Sequence, residues 1–252
     1  METGELSTEP QDGTRRQQAI VVAIDGPSGS GKSSVSRMVA ERLGLAFLDT
    51  GAMYRAATWW CLEQGVPLTD TEAVAALIRD LPLSVGVDPA GPTVHVGGTD
   101  VGEAIRTTAI SSAVSAVATN LEVRAELGRL QREAIAAERV PQSFSHGRGI
   151  VAEGRDITTV IAPDADVRIL LTASEEARLA RRAKEVHGSA DAEAVQATRD
   201  QVLRRDRDDS TVSTFHVAAD GVVTVDSSDL DLEETVQAVL DVVAQVSGRA
   251  AR

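Results

Sequence analysis

The sequence predicts an α/β fold, a five-stranded parallel sheet flanked by helices with a small antiparallel insertion. Three observations predict it. Five apolar, β-branched runs of strand length recur along the chain, too continuous for a sheet with one wet face. Helix-period segments separate them, and strands that alternate with helices build parallel sheets with right-handed crossovers. A glycine-rich loop follows the first run and opens into the first helix.

Taken in order, residues 1–18 lack apolar periodicity and are rich in Glu, Gln, Thr and Gly, so a disordered tail is expected. The first strand is AIVVAID at 19–25, and LAFL at 45–48 gives the second. GIVA at 149–152, VRILL at 167–171 and VVTV at 222–225 give the other three. Helical spacing covers 33–43, 52–64, 72–79, one long segment 105–138, then 175–186, 192–207 and 232–246. Residues 81–102 break the rhythm. LPLSVGV at 81–87 and TVHV at 93–96 read as short strands, with turns at 88–92 and 97–100.

Composition excludes several classes. The chain has 252 residues, 38 acidic against 25 basic groups and a net charge of −13. Sequence-independent binding to a nucleic-acid polymer needs a basic footprint, which this balance denies. Aromatics at 2% give no stacking platform for single strands. One cysteine, Cys61, excludes a disulfide framework and a cysteine zinc site. The longest early apolar run, 19–24, is far short of a membrane span, and no signal peptide opens the chain, so the cytoplasm is expected. The charge is unevenly spread. Residues 148–207 hold eleven basic and eleven acidic groups, which leaves the acid excess elsewhere.

Chemistry is concentrated at four places. GPSGSGKS at 26–33 matches G-x-x-x-x-G-K-[ST] in full, between a buried strand and a helix. In such a loop Gly26, Pro27, Ser28, Gly29, Ser30 and Gly31 let backbone N–H groups approach phosphate oxygens. The following helix aims its positive end at the same point. Lys32 reaches the β and γ phosphates, and Ser33 or Ser34 holds Mg²⁺ directly or through water. Only Lys32 and Lys184 are lysines, so the loop keeps the one cation that arginine cannot replace.

The second strand runs into DTGAMYR at 49–55, which puts Thr50, Tyr54 and Arg55 at the ligand-binding edge of the sheet. The third runs into EGRD at 153–156. There Glu153 suits Mg²⁺ waters, Arg155 a phosphate and Asp156 a base or sugar, with an ordinary turn ion pair as the competing reading. After the fourth strand, Arg178, Arg181 and Arg182 share a helix face without intervening acids. An anion between them would relieve their repulsion, so a lid over donor phosphates is expected. RRDRDDS at 204–210 is a second dense run. The four histidines have no metal-ligand spacing, and no N-K-x-D run supports a guanine switch.

Together, IDGPSGSGKSS at 24–34, DTGAMYR at 49–55, DVGEAIR at 100–106, EGRDITTVIAPDA at 153–165, EEARLARR at 175–182 and RRDRDDS at 204–210 resemble the bacterial cytidylate kinase family of P-loop nucleoside monophosphate kinases. The resemblance implies ATP as donor, CMP or dCMP as acceptor, Mg²⁺, and no polymer or membrane partner. A monomer is expected. It implies a core at about 19–50, 146–172 and 218–248, a monophosphate-binding lobe at about 51–145 and a lid at about 174–215. Residue by residue, Thr50, Arg55 and Arg155 would face the acceptor phosphate with Arg106 close by, and Ser115, Arg124 and Asp156 would read cytosine. Arg205 and Asp209 would approach the ribose. Arg178, Arg181 and Arg182 would close over the transferring group, with Lys32 and Arg155 also catalytic. The chain departs from the family pattern at Glu153, where Asp is commoner, at Thr158, where Gly is usual, and at Val212, where many relatives carry arginine. A proline-leucine pair is also missing near Thr214-Phe-His216. Another small-molecule kinase (a different monophosphate, shikimate or gluconate) and a nucleotide switch without turnover remain the alternatives.

Overall fold

A computed structural model describes residues 18–248. The tail expected at 1–18 therefore lies outside the described residues, apart from exposed Gln18. Strand β1 (Ile20–Asp25) is buried at all six positions, as its unbroken apolar run requires. Helix α1 (Lys32–Leu43) follows, and Gly44 closes it in the left-handed conformation. Then come β2 (Ala46–Asp49), α2 (Thr50–Glu63) and α3 (Thr71–Arg79), the two helices capped by the carboxylates of Asp49 and Asp70.

The insertion is a three-stranded antiparallel sheet of β3 (Leu83–Val85), β4 (Val94–Val96) and β5 (Thr99–Asp100). The last strand occupies residues expected as a turn. Gly97 and Gly98, both at positive φ, turn the chain so tightly that Thr99 pairs back onto Val96.

The long helix expected at 105–138 is broken. A short 3-10 turn (Ala104–Arg106) leads to α4 (Thr108–Ala118), and α5 (Leu121–Ala137) starts afresh. Asn120 makes the break, because its side chain accepts from the N–H groups of Glu122 and Val123 and caps a new helix.

The remaining elements are β6 (Gly149–Gly154), a wide π turn (Ile157–Ile161), β7 (Val167–Thr172), α6 (Glu175–His187), α7 (Ala192–Asp209), β8 (Val223–Asp226) and α8 (Leu232–Ser247).

The five-stranded sheet is parallel throughout, in the order β2-β6-β1-β7-β8. One face packs Ile20, Val22 and Ile24 against Val35 and Val39 of α1 and Val236 and Val239 of α8. The other packs Val21, Ala23, Leu48 and Ile150 against Ile135 and Ile157. Each such Val, Leu or Ile side chain contributes about 1.5–3 kcal/mol by burial. A third core, under α2, α3 and β4, supports the insertion. The strand order sets β6 between β2 and β1. Asp49 therefore pairs with Glu153 across one ladder and Asp25 with Gly154 across the other, so three strand ends meet at one edge.

Candidate active site

That edge opens into a cavity of about 600 Å³. At one end lies the phosphate loop, with Ser28 to Ser34 on its lining. Two of its glycines are demanded by space. A Cβ on Gly26 would sit 2.2 Å from the carbonyl of Leu171 in the neighbouring strand. Gly29 takes φ +78°, and a Cβ there would sit 2.5 Å from the carbonyl of Arg178. Lys32 folds its amine to 3.4 Å from the carbonyl of Pro27. Desolvation, with Arg155 nearby, lowers that amine to about 8. An amine held this way is ready for anionic oxygen, which would restore its charge.

Beside the loop, the hydroxyl of Ser33 donates to Glu153 at 2.6 Å. Glu153 is fully enclosed beside Asp49. Burial first and the neighbouring carboxylate second push it up to about 7. Burial opposes ionisation of Asp49 too. Yet the Arg55 guanidinium at 3.0 Å and the Ala52 N–H at 2.8 Å hold it below the usual carboxylate range. Two crowded carboxylates and a hydroxyl form a hard oxygen set, and Glu153 keeps no ion pair of its own among the described residues, which fits Mg²⁺. Among the described residues no three His, Cys, Asp or Glu side chains gather to hold a metal alone. A Mg²⁺ bound through substrate phosphates needs only one or two protein oxygens.

At the other end the lining is arginine-rich. Arg55, Arg106, Arg124, Arg155 and Arg205 come from five separate elements and border the same space. Arg155 donates through Nε to Asp209 at 2.9 Å and through Nη1 to the carbonyl of Gly26 at 2.7 Å, and its guanidinium lies 4.8 Å from the Phe215 ring. Arg124 pairs with Asp156 and faces the Tyr54 ring at 6.0 Å. Burial raises Asp156 although Arg124 opposes it. Arg205 is lowered to about 10 by desolvation and by Arg155, and its Nε, 3.8 Å from Asp209, has no hydrogen-bond partner among the described residues. Three of these arginines pair with Asp49, Asp156 and Asp209, and five guanidiniums against three carboxylates leave an excess of positive charge that suits a phosphate dianion.

The π turn that presents Asp156 is fixed from below. Buried Asp25 accepts from the N–H of Ile157 at 2.9 Å, the N–H of Thr158 at 2.8 Å and the Thr158 hydroxyl at 2.6 Å. Thr158 thus contributes a hydrogen bond to its site. Thr50 is also used locally, its hydroxyl donating to the carbonyl of Glu153 at 2.8 Å.

Four expected site residues stand off the lining: Gly26, Pro27, Ser115 and Arg178. In place of Ser115, Ser111 faces the cavity from the preceding turn of α4, beside Val114 and Ala118. The expected repulsion among the three α6 arginines is relieved internally. Arg178 pairs with Asp206 at 2.5 Å, Arg182 with Glu185 at 2.8 Å, and Arg181 donates to the carbonyl of Ser227 at 2.5 Å and of Leu230 at 3.1 Å. Arg181 and Arg182 still border the cavity. Near Val212, the lining residue is Ser213, whereas Arg204 and Arg207 are exposed and away from it. None of the four histidines borders the cavity. Lining residues the sequence did not announce include Asp49, Ser111, Glu185, Ser213 and the entry to α8, Leu230 to Leu232 with Thr235. Asp49 carried a signal as a helix cap; the others carried none.

A family model described as cytidylate kinase matches residues 22–245. A cytidylate kinase of Streptomyces avermitilis is 47% identical over 247 residues, covering 97% of this chain and 98% of the relative. One from Rhodococcus opacus is 49% identical, covering 91% and 97%, and one from Nocardia farcinica 48%, covering 90% and 94%. A match of that length takes in the phosphate loop, all three cores and every strand end at the cavity, and the chain belongs to the cytidylate kinase family.

Proposed function

We propose that this enzyme transfers the γ-phosphoryl group of ATP to CMP or dCMP, giving ADP and CDP or dCDP. One observation carries the reading: a single cavity joins a lysine-bearing phosphate loop to a five-arginine cluster beside the Arg124–Asp156 pair. A phosphate loop alone serves many reactions. A second anion seat facing it, with a buried hydrogen-bonding pair alongside, suits a phosphorylated acceptor that carries a base.

In this reading the backbone of 28–34 cradles the donor phosphates. Arg55, Arg106, Arg155 and Arg205 hold the acceptor phosphate in line, and Asp156 and Arg124 meet the cytosine with Ser111 or Ser115. An oxygen of the acceptor phosphate bonds to the γ-phosphorus while the bond to the β-γ bridging oxygen breaks, and that oxygen leaves with ADP. No base is needed, because the monoester is already ionised. Lys32, Arg181 and Arg182 neutralise charge spread over the transferring group, which supplies most of the catalysis in such reactions. Ser33, Ser34 and Glu153 would hold Mg²⁺, which would supply positive charge against the donor phosphates when bound. The segment at about 174–215 serves as the lid and about 51–145 as the acceptor lobe. We read the enzyme as a cytoplasmic monomer. Among the described residues no helix is long and apolar enough to cross a membrane.

ADP release in a coupled assay across CMP, dCMP, UMP and AMP tests the reading. The expected result is the highest kcat/KM with CMP and dCMP. Equal or better turnover with AMP overturns it.

A further inference from the structure

Ser28, the third residue of the phosphate loop, has both backbone polar groups engaged by late helices. Its N–H donates to Asp206 Oδ1 at 3.0 Å, and its carbonyl accepts from Arg178 Nη1 at 2.9 Å. Arg178 Nη1 also donates to Asp206 Oδ2 at 2.5 Å, which closes a three-member ring. Asp206 is 4% exposed and Arg178 7%. A buried pair of this kind cannot lose one member cheaply, since the other charge is stranded.

Asp206 also reaches toward the arginine cluster. Its Oδ1 lies 3.6 Å from Arg155 Nη2. One turn further along α7, Asp209 accepts from Arg155 Nε, and Arg155 Nη1 donates to the carbonyl of Gly26. Spacing of i, i+3 puts both carboxylates on one helix face. That face therefore grips the phosphate loop with Asp206 and an arginine of the opposite anion seat with Asp209. Arg155 is the shared part. It touches the loop, both carboxylates and the space where the second anion would lie.

We propose that Asp206 is a positioning residue that couples the two nucleotide seats, so that occupation of either tightens the other. This rests on the reading that the cavity takes ATP at one end and CMP at the other. An anion drawing on Arg155 changes what Asp206 and Asp209 must neutralise, and Asp206 passes that change to Ser28 through the ring. Coupling of this sort is reciprocal between the two ligands. The carboxylate is specifically required. An asparagine keeps an oxygen for the Ser28 N–H but turns an NH₂ toward the Arg178 N–H, donor against donor.

The test compares wild type with Asp206→Asn. Calorimetry measures CMP affinity with and without a saturating non-hydrolysable ATP analogue, and steady-state kinetics measure kcat and KM. In wild type the analogue is expected to tighten CMP by about fivefold or more. In Asp206→Asn the expected CMP affinity without the analogue stays within about twofold of wild type. The tightening falls to near unity and kcat drops about tenfold or more. Should Asp206→Asn fail to fold, Arg178→Gln opens the same ring from its other side and is read identically. A variant that keeps the wild-type tightening overturns the proposal. So does one that binds both nucleotides weakly and equally, or a wild type that shows no tightening while turning CMP over. A wild type that does not phosphorylate CMP overturns the functional reading instead, and the proposal with it.

Discussion

One end of the cavity is made of backbone and the other of side chains. At the phosphate loop, seven consecutive residues line the wall, and their shape is set by glycines pressed against Leu171 and Arg178. At the arginine cluster, five cations arrive from five parts of the chain up to 150 residues apart, and Arg55, Arg124 and Arg155 are oriented by carboxylate or carbonyl partners. The backbone wall is local, so a short motif specifies it. The side-chain wall exists only once the sheet order has brought β2, β6 and β1 together. Loss of a side chain should therefore be graded at the cluster and severe at the loop, where Lys32 is the lone charged side chain among 28–34.

The sharpest break of that contrast is Lys32→Ala. Its kcat for CMP phosphorylation is expected to fall by about 10²–10³ or more, since a preorganised cation is lost where charge develops. Steady-state kinetics check this, and a loss under tenfold would place the charge stabilisation at the arginine end instead.

Glu153→Gln sharpens the boundary between the two ends. With its carboxyl raised to about 7 from 4.5, the folded protein holds a proton that the unfolded chain releases in that window. Stability therefore falls as pH rises from 4.5 to about 7, and the cost is complete above it. Glutamine removes the cost. Near pH 8 the nucleotide-free variant is expected to melt several degrees above wild type, and the difference should vanish near pH 4. Activity should move the other way, with about tenfold lower kcat and a higher Mg²⁺ requirement. Calorimetric melting against pH, beside a Mg²⁺ titration of activity, reads both.

The smallest effect tests the geometry of α4. Ser111→Ala is expected to raise KM for CMP about 2–10-fold, the worth of one hydrogen bond, while Ser115→Ala stays within about twofold. Reversal of that order would mean that α4 presents its next turn to the nucleotide when it binds.

How much of this was legible in the sequence follows the same division. Four of the five strands were legible because parallel strands buried on both faces must be unbroken apolar runs, as 20–25 is, whereas edge strand β8, exposed at three of four positions, was legible only from its β-branched residues. The loop was legible because its residues are consecutive and follow one short pattern, even though the contacts that demand Gly26 and Gly29 come from distant Leu171 and Arg178. The break at Asn120 was not, because the apolar periodicity of 105–138 runs through it and only a side-chain cap, unseen in a hydrophobic pattern, divides the helix. The fate of Arg178 was hidden for a different reason. Three arginines on a face read as charge seeking an anion, and the partner, Asp206, lies 28 positions away on another helix. Likewise the crowding of Glu153 by Asp49 is a fact of strand order, which no motif states. Thr158, which departs from the family's usual glycine, proved to be a donor to Asp25.

The scarcity of lysine has a practical consequence. Apart from the chain's own α-amine, only Lys32 and Lys184 offer a primary amine to an electrophile. An amine lowered to about 8 is free base in roughly one molecule in ten at neutral pH, against fewer than about one in a thousand for an ordinary lysine. An acylating reagent would therefore find one exposed handle on α6 and one activated amine inside the phosphate loop. Label lost from Lys32 on adding nucleotide would count occupied sites directly, with Lys184 as the built-in reference on the same molecule.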